Sequence, residues 1–176
     1  MRFRQPKFSN PLKRRYVSAS STQQGEGGKC SPDDAFRDKG NAPHAFNLSY
    51  EARQNESYRV ALWTGSGLQL TMMSIPAGMD TGIEMHEATD QFLYIEKGRG
   101  EVIMGKTKGN MNYRRPLGAG YAVLIPGETY HNVINTGNEP LKLYSVYTPK
   151  VHPFGTVDKT RSDSEMRESN SSPKKG

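Results

Sequence analysis

The stretch GIEMHEATDQFLYIEKG, Gly82–Gly98, decides how this chain folds. Its apolar residues do not recur at helical spacing; they form a short run, FLYI, bounded by turn residues and a terminal glycine. Residues two apart on an extended chain point to the same side, so Glu84 and His86 address a common target. The same short-segment pattern continues outward on both sides. YRVALW (58–63), LQLTMMSI (68–75), GIEMH (82–86), QFLYIE (91–96), GEVIMG (100–105), YAVLI (121–125), HNVIN (131–135) and LKLYSVY (141–147) all read as strands.

The separators are turn chemistry: TGSG after Trp63, PAGMDTG after Ile75, PGETY after Ile125 and NTGNEP after Ile134. Evenly spaced short strands with Gly and Pro turns predict an all-β antiparallel sandwich or small barrel. Alternation also assigns faces. In LKLYSVY, Lys142 is expected to face water, grouping Leu141, Leu143, Ser145 and Tyr147 on the other side. In QFLYIE, Gln91, Leu93 and Ile95 share a face. Phe92 and Tyr94 lie opposite, where they pack against a second sheet or subunit or form a local core patch.

The 176 residues are enough for one ordinary domain, with 34% hydrophobic residues. Apolar periodicity is confined to the middle, which predicts a folded domain over 46–157 between a basic, polar disordered tail at 1–45 and a polar disordered tail at 158–176. The net charge of +6 belongs to the first tail. Residues 1–20 contain Arg2, Arg4, Lys7, Lys13, Arg14 and Arg15 and no acid, leaving 18 basic against 18 acidic residues elsewhere. Such an arm is suited to contact a polyanion, but no nucleic-acid motif accompanies it, and a solvated end is the simpler reading. No apolar run approaches the length of a membrane span, and residues 8–22 contain no signal-peptide core. Cys30 is the single cysteine, so no intrachain disulfide or multi-cysteine metal site is available, and a reducing cytoplasm is the expected compartment.

Two spaced motifs sharpen the picture. Gly78 is followed after five residues by Glu84, Met85 and His86, after four more by Gln91, and after six more by Gly98. GYAVLIPGETYHNVIN places Gly120, Pro126, His131 and Asn135 at a second fixed spacing. The chain thereby resembles the cupins, small RmlC-like jelly-roll barrels defined by G(X)5HXH(X)3-4E(X)6G and G(X)5PXG(X)2H(X)3N. The resemblance implies a double-stranded β-helix over most of the domain, a metal site in the barrel and, commonly, a homodimer formed through a sheet face such as that carrying Phe92 and Tyr94. The departures are specific: Glu84 stands where the family has its first His, Gln91 where it has its Glu, and Glu128 where it has the Gly of PXG.

Glu84, His86 and His131 nevertheless form a two-histidine, one-carboxylate set suited to a divalent first-row metal such as iron, manganese, zinc or nickel. Gln91 offers a neutral fourth oxygen. Asp90 is its alternative, at the shorter spacing that the motif also allows, although face parity favours Gln91. The set resembles the ligands of the cupin-type phosphomannose isomerases with Glu and Gln exchanged. Two function classes follow: a metalloenzyme acting on a small polar molecule, isomerase-like or dioxygenase-like, or a non-catalytic cupin that binds a sugar or serves a structural role. For acid–base work the sequence offers Glu128 and Tyr130 near the second motif. His44 and His152 lie outside the motifs and are expected at the surface or as domain-edge contacts, and GKTKG (105–109) lacks the full phosphate-loop pattern.

Overall fold

A computed structural model of the chain describes residues 37–171. Its elements run α1 (Leu48–Gln54), β1 (Arg59–Thr64), β2 (Gln69–Ile75), β3 (Asp90–Lys97), β4 (Arg99–Gly105), β5 (Tyr113–Gly118), β6 (Ala122–Ile125), β7 (Tyr130–Asn135), β8 (Leu141–Thr148), β9 (Val157–Asp158) and α2 (Arg161–Ser171). Two antiparallel sheets face each other, one ordered β6-β3-β8-β2-β1-β9 and the other β5-β4-β7. Their inner faces enclose Met73, Ile75, Leu93, Ile95, Val102, Val133, Leu141 and Leu143, each of them buried. Alternation of apolar residues along β2, β3, β7 and β8 produces this core directly. Gly98 closes the β3–β4 turn at φ 95°, where an added Cβ would come within 3.0 Å of the Leu141 backbone.

Seven of the eight expected strands are present. The exception is GIEMH, which makes one isolated bridge, Glu84 with His131, next to that of Asp80 with Ile134 just before it. The Asp80 carboxylate accepts the Gly82 amide at 2.9 Å, and Gly82 has φ 80°, so the chain turns in the middle of what would be a continuous ladder. Two strands were not anticipated. β5 is exposed over its first four residues and contains Pro116, as an edge strand permits, and β9 is two residues long.

The domain is also wider than 46–157. Residues 1–36, with most of the basic arm, lie outside the described residues, but Lys39 donates its amide to Leu62 O and Asp38 accepts the Thr64 hydroxyl at 2.6 Å. At the other end, residues 158–171 are not a bare polar tail: β9 pairs with β1, and α2 lies against the barrel with Ser164 buried. Polar contacts hold α2, including the Arg167–Asp158 pair at 2.8 Å and the Arg161–Asp80 pair. That is why no apolar stripe announces it in the sequence.

Lys142 does lie opposite Leu141 and Leu143, but it does not face water. α1 covers that outer face over Leu62, Leu70 and Met72, and the buried Lys142 ammonium donates to Asn55 O at the C-cap of α1. On the same face Tyr94 stacks on Tyr144, with ring centroids 5.1 Å apart.

Candidate metal centre

At one end of the barrel the inward-facing residues change from apolar to polar. β8 ends in Ser145 and Tyr147, β2 begins with Gln69 and Thr71, β3 begins with Gln91, and β7 supplies His131; all are buried. The chain before β3 is fixed beside β7 by paired backbone hydrogen bonds, Glu84 N to His131 O and His131 N to Glu84 O, both 2.9 Å. This bridge, with the Asp80–Ile134 bridge and the Glu128 amide donating to His86 O, brings the two motifs together. One ligand atom each from Glu84, His86 and His131 lies within 4.8 Å of the others, so the three residues named from spacing converge.

The hydrogen bonding of His131 defines its tautomer. Nδ1 lies 2.9 Å from Thr129 O, and a carbonyl only accepts, so Nδ1 carries the proton and Nε2 presents a lone pair. Among the described residues that Nε2 is buried without a partner and lies 3.8 Å from Glu84 Oε2, too far for a hydrogen bond. His86 Nε2 is likewise buried and unpartnered, with its ring 5.6 Å from that of His131. Two imidazole nitrogens and a carboxylate oxygen thus converge, with His131 and Glu84 too far apart to satisfy each other. These are donors suited to a divalent cation.

Glu84 is held from behind. Arg59, fully buried on β1, donates to Glu84 Oε1 at 2.7 Å and to Glu168 of α2 at 3.0 Å. Burial alone would push the Glu84 carboxyl up, but the Arg59 charge and hydrogen bond outweigh it and hold Glu84 below its ordinary value. Burial pushes His86 down, opposed by Glu84 and reinforced by His131 and Arg59, which keeps the ring neutral and able to coordinate. Oε1 is therefore occupied by Arg59, and Oε2 remains on the histidine side.

Gln91 and Asp90 are clearly separated. Gln91 is buried, its Nε2 lies 3.2 Å from both Ser145 Oγ and Tyr147 Oη, and its Oε1 has no partner among the described residues. Asp90 is exposed and accepts the Gly127 amide at 2.9 Å, so its carboxylate serves the loop rather than the barrel. Glu128 is exposed with φ 58°, and Tyr130 alternates with His131 along β7. Neither lines the cavity of about 460 Å³ beside Glu84 and His86.

That cavity contains residues the sequence did not suggest, namely His152, Arg167 and Glu168. His152 is buried rather than at the surface, and its ring meets Tyr147 edge-on at 5.2 Å; His44 is exposed, as expected. No spacing rule reaches His152, because it follows β8 in a loop. The signal available was position alone: it lies five residues beyond Tyr147, the last inward-facing residue of β8.

Fold and site together define a small β-barrel with a metal-type donor set at its polar end. The cupin domain family matches residues 71–147. The chain is 50% identical over 128 residues to YrkC of Bacillus subtilis, covering 73% of this chain and 69% of that one. It is 35% identical to L612 of Acanthamoeba polyphaga mimivirus over 70% of this chain and 76% of that one. The crystal structure of BH2720 from Bacillus halodurans superposes with a TM-score of 0.73 at 48% identity, over 74% of this chain and 98% of that chain. This chain belongs to the cupin family. Among the described residues no helix is long and apolar enough to cross a membrane.

Proposed function

We propose that the protein is a metal-dependent cupin acting on a small polar molecule, with Glu84, His86 and His131 holding one divalent ion and Gln91 Oε1 as a weaker, neutral fourth donor. The observation that carries this reading is the pair of buried, unpartnered imidazole nitrogens facing the free oxygen of an ionised Glu84. An ion of iron, manganese, nickel or zinc would supply Lewis acidity toward a carbonyl, or with iron the capacity to react with dioxygen. The chain contributes the rest. Arg59 keeps Glu84 charged and oriented, and Tyr147, its phenol pushed up to about 12 chiefly by burial, stays protonated beside Gln91. α2 narrows the approach through Arg167 and Glu168.

One observation favours the second reading, a metal-free binding module: Arg59 already neutralises Glu84. Metal analysis of the full chain after reconstitution with each of the four metals separates the two. The metalloprotein reading expects about one ion per chain, lost in His131→Ala and reduced less in Gln91→Ala than in Glu84→Ala. A parent that binds none of the four leaves the binding-module reading. The outer face of the larger sheet, where Leu124 is 73% exposed beside Phe92 and Val146, supports a homodimer. A monomer at micromolar concentration in sedimentation rules that out.

A further inference from the structure

His152 is anchored more firmly than a loop residue needs to be. The fully buried Gln69 side chain clamps its peptide, Oε1 accepting the His152 amide and Nε2 donating to the His152 carbonyl, each at 2.9 Å. Tyr147 braces its ring edge-on, and the same phenol ring meets His86 edge-on at 5.7 Å. Yet among the described residues the buried Nε2 of this ring has no hydrogen-bond partner, although His152, only 5% exposed, lines the same cavity as Glu84 and His86. Leaving a buried polar group unsatisfied costs stability, which a structural histidine avoids by finding a partner within the protein.

The charges around the cavity indicate what the partner is. Arg59 pairs with Glu84 and Glu168, and Arg167 pairs with Asp158. Burial first, then Arg59, Arg167 and His86, push His152 down to about 2, so it is an uncharged hydrogen-bonding group. A dication held by the triad then leaves the site net positive, an environment that favours an anionic oxygen ligand.

We propose that this cavity takes a small organic carboxylate and that His152 Nε2 makes a hydrogen bond to one of its oxygens, with His152 a ligand-facing residue rather than a metal ligand. The proposal rests on the metal-site reading above. The test uses the full chain labelled with 15N-histidine, whose four histidines are His44, His86, His131 and His152. Zinc alone is expected to shift the ring nitrogens of His86 and His131 and leave those of His152 in place. Adding millimolar glycolate to the zinc-loaded protein is expected to shift His152 Nε2, while ethylene glycol, of the same size without charge, does not. His152→Gln should bind zinc with unchanged stoichiometry and glycolate about tenfold more weakly. If zinc moves none of the histidines, the metal reading itself fails and the proposal with it. If zinc alone moves His152, that residue is a metal ligand. If glycolate leaves His152 unmoved, binds His152→Gln as tightly as the parent, or competes no better than ethylene glycol, the proposal is overturned while the metal site stands.

Discussion

The two ends of the barrel are built by the same strands and have opposite chemistry. Along β8 the inward residues run Leu141, Leu143, Ser145, Tyr147, and the paired positions on β2 run Ile75, Met73, Thr71, Gln69. On β3 they run Ile95, Leu93, Gln91, and on β7 Asn135, Val133, His131. The apolar end is closed by packing, and Asn135 there works structurally, donating to Ile75 O and Glu139 O. At the polar end His131, His152 and Gln91 are buried and His86 half-buried, and among the described residues each keeps an atom without a partner. One end thus satisfies itself, whereas the other leaves open the polar atoms that the proposed ligands would complete.

The comparison breaks most sharply at Arg59. Removing one member of a buried ion pair leaves the other charge uncompensated, so Arg59→Met is expected to cost about 3–5 kcal/mol in urea unfolding. Adding Glu84→Leu to it should recover part of that loss while abolishing metal uptake. A loss no larger than that of an exposed ion pair would mean that the polar end is not organised through this arginine.

Next comes the apolar end. Leu143→Ala, at a fully buried position, should cost about 2–5 kcal/mol through lost burial and the cavity left behind. Metal stoichiometry should be unchanged, since Leu143 supplies no donor. Metal loss in this variant would show the two ends to be coupled rather than separable.

A third effect is confined to the polar end. An ion at one hundred times its dissociation constant stabilises the native state by about 2.7 kcal/mol, so the parent's melting temperature should rise on adding metal. His131→Ala should show no such rise, over and above any loss in its metal-free melting point from truncating a buried side chain. The smallest effect, taken per unit of pH, comes from His152. His152 is held neutral in the fold, so below an ordinary histidine value of about 6.5 the unfolded chain binds a proton that the folded one refuses, and stability falls as pH falls. Each unit between about 6 and 4 should cost about 1.4 kcal/mol for this group alone. His152→Gln should flatten the stability-against-pH curve by that slope, and an unchanged curve would mean that His152 is protonated in the fold.

Much of this was legible in the chain because the information is local. Period-two alternation and turn residues marked seven of the larger strands, and motif spacing marked Glu84, His86 and His131, since strand parity and loop length are properties of neighbouring residues. The same parity separated Gln91 from Asp90, which lie on opposite faces of β3. Misreadings occurred where a distant element overrides local pattern. Lys142 has the right face, but only the docking of α1 over that sheet determines that the face is covered.

By itself, then, the sequence determined an all-β barrel of the cupin kind and the three residues whose donors converge in it, because alternation and spacing are written along the chain. Only the tertiary structure decided that Arg59, 25 residues before Glu84, stands behind its carboxylate, and that α2, from a stretch with no apolar stripe, ties Glu168 to the same arginine. Only it brought His152 into the cavity in place of Glu128 and Tyr130. The physical reason is that a buried charge or an unpartnered imidazole is defined by what surrounds it. Those surroundings come from residues far apart in sequence, and folding alone sets them side by side.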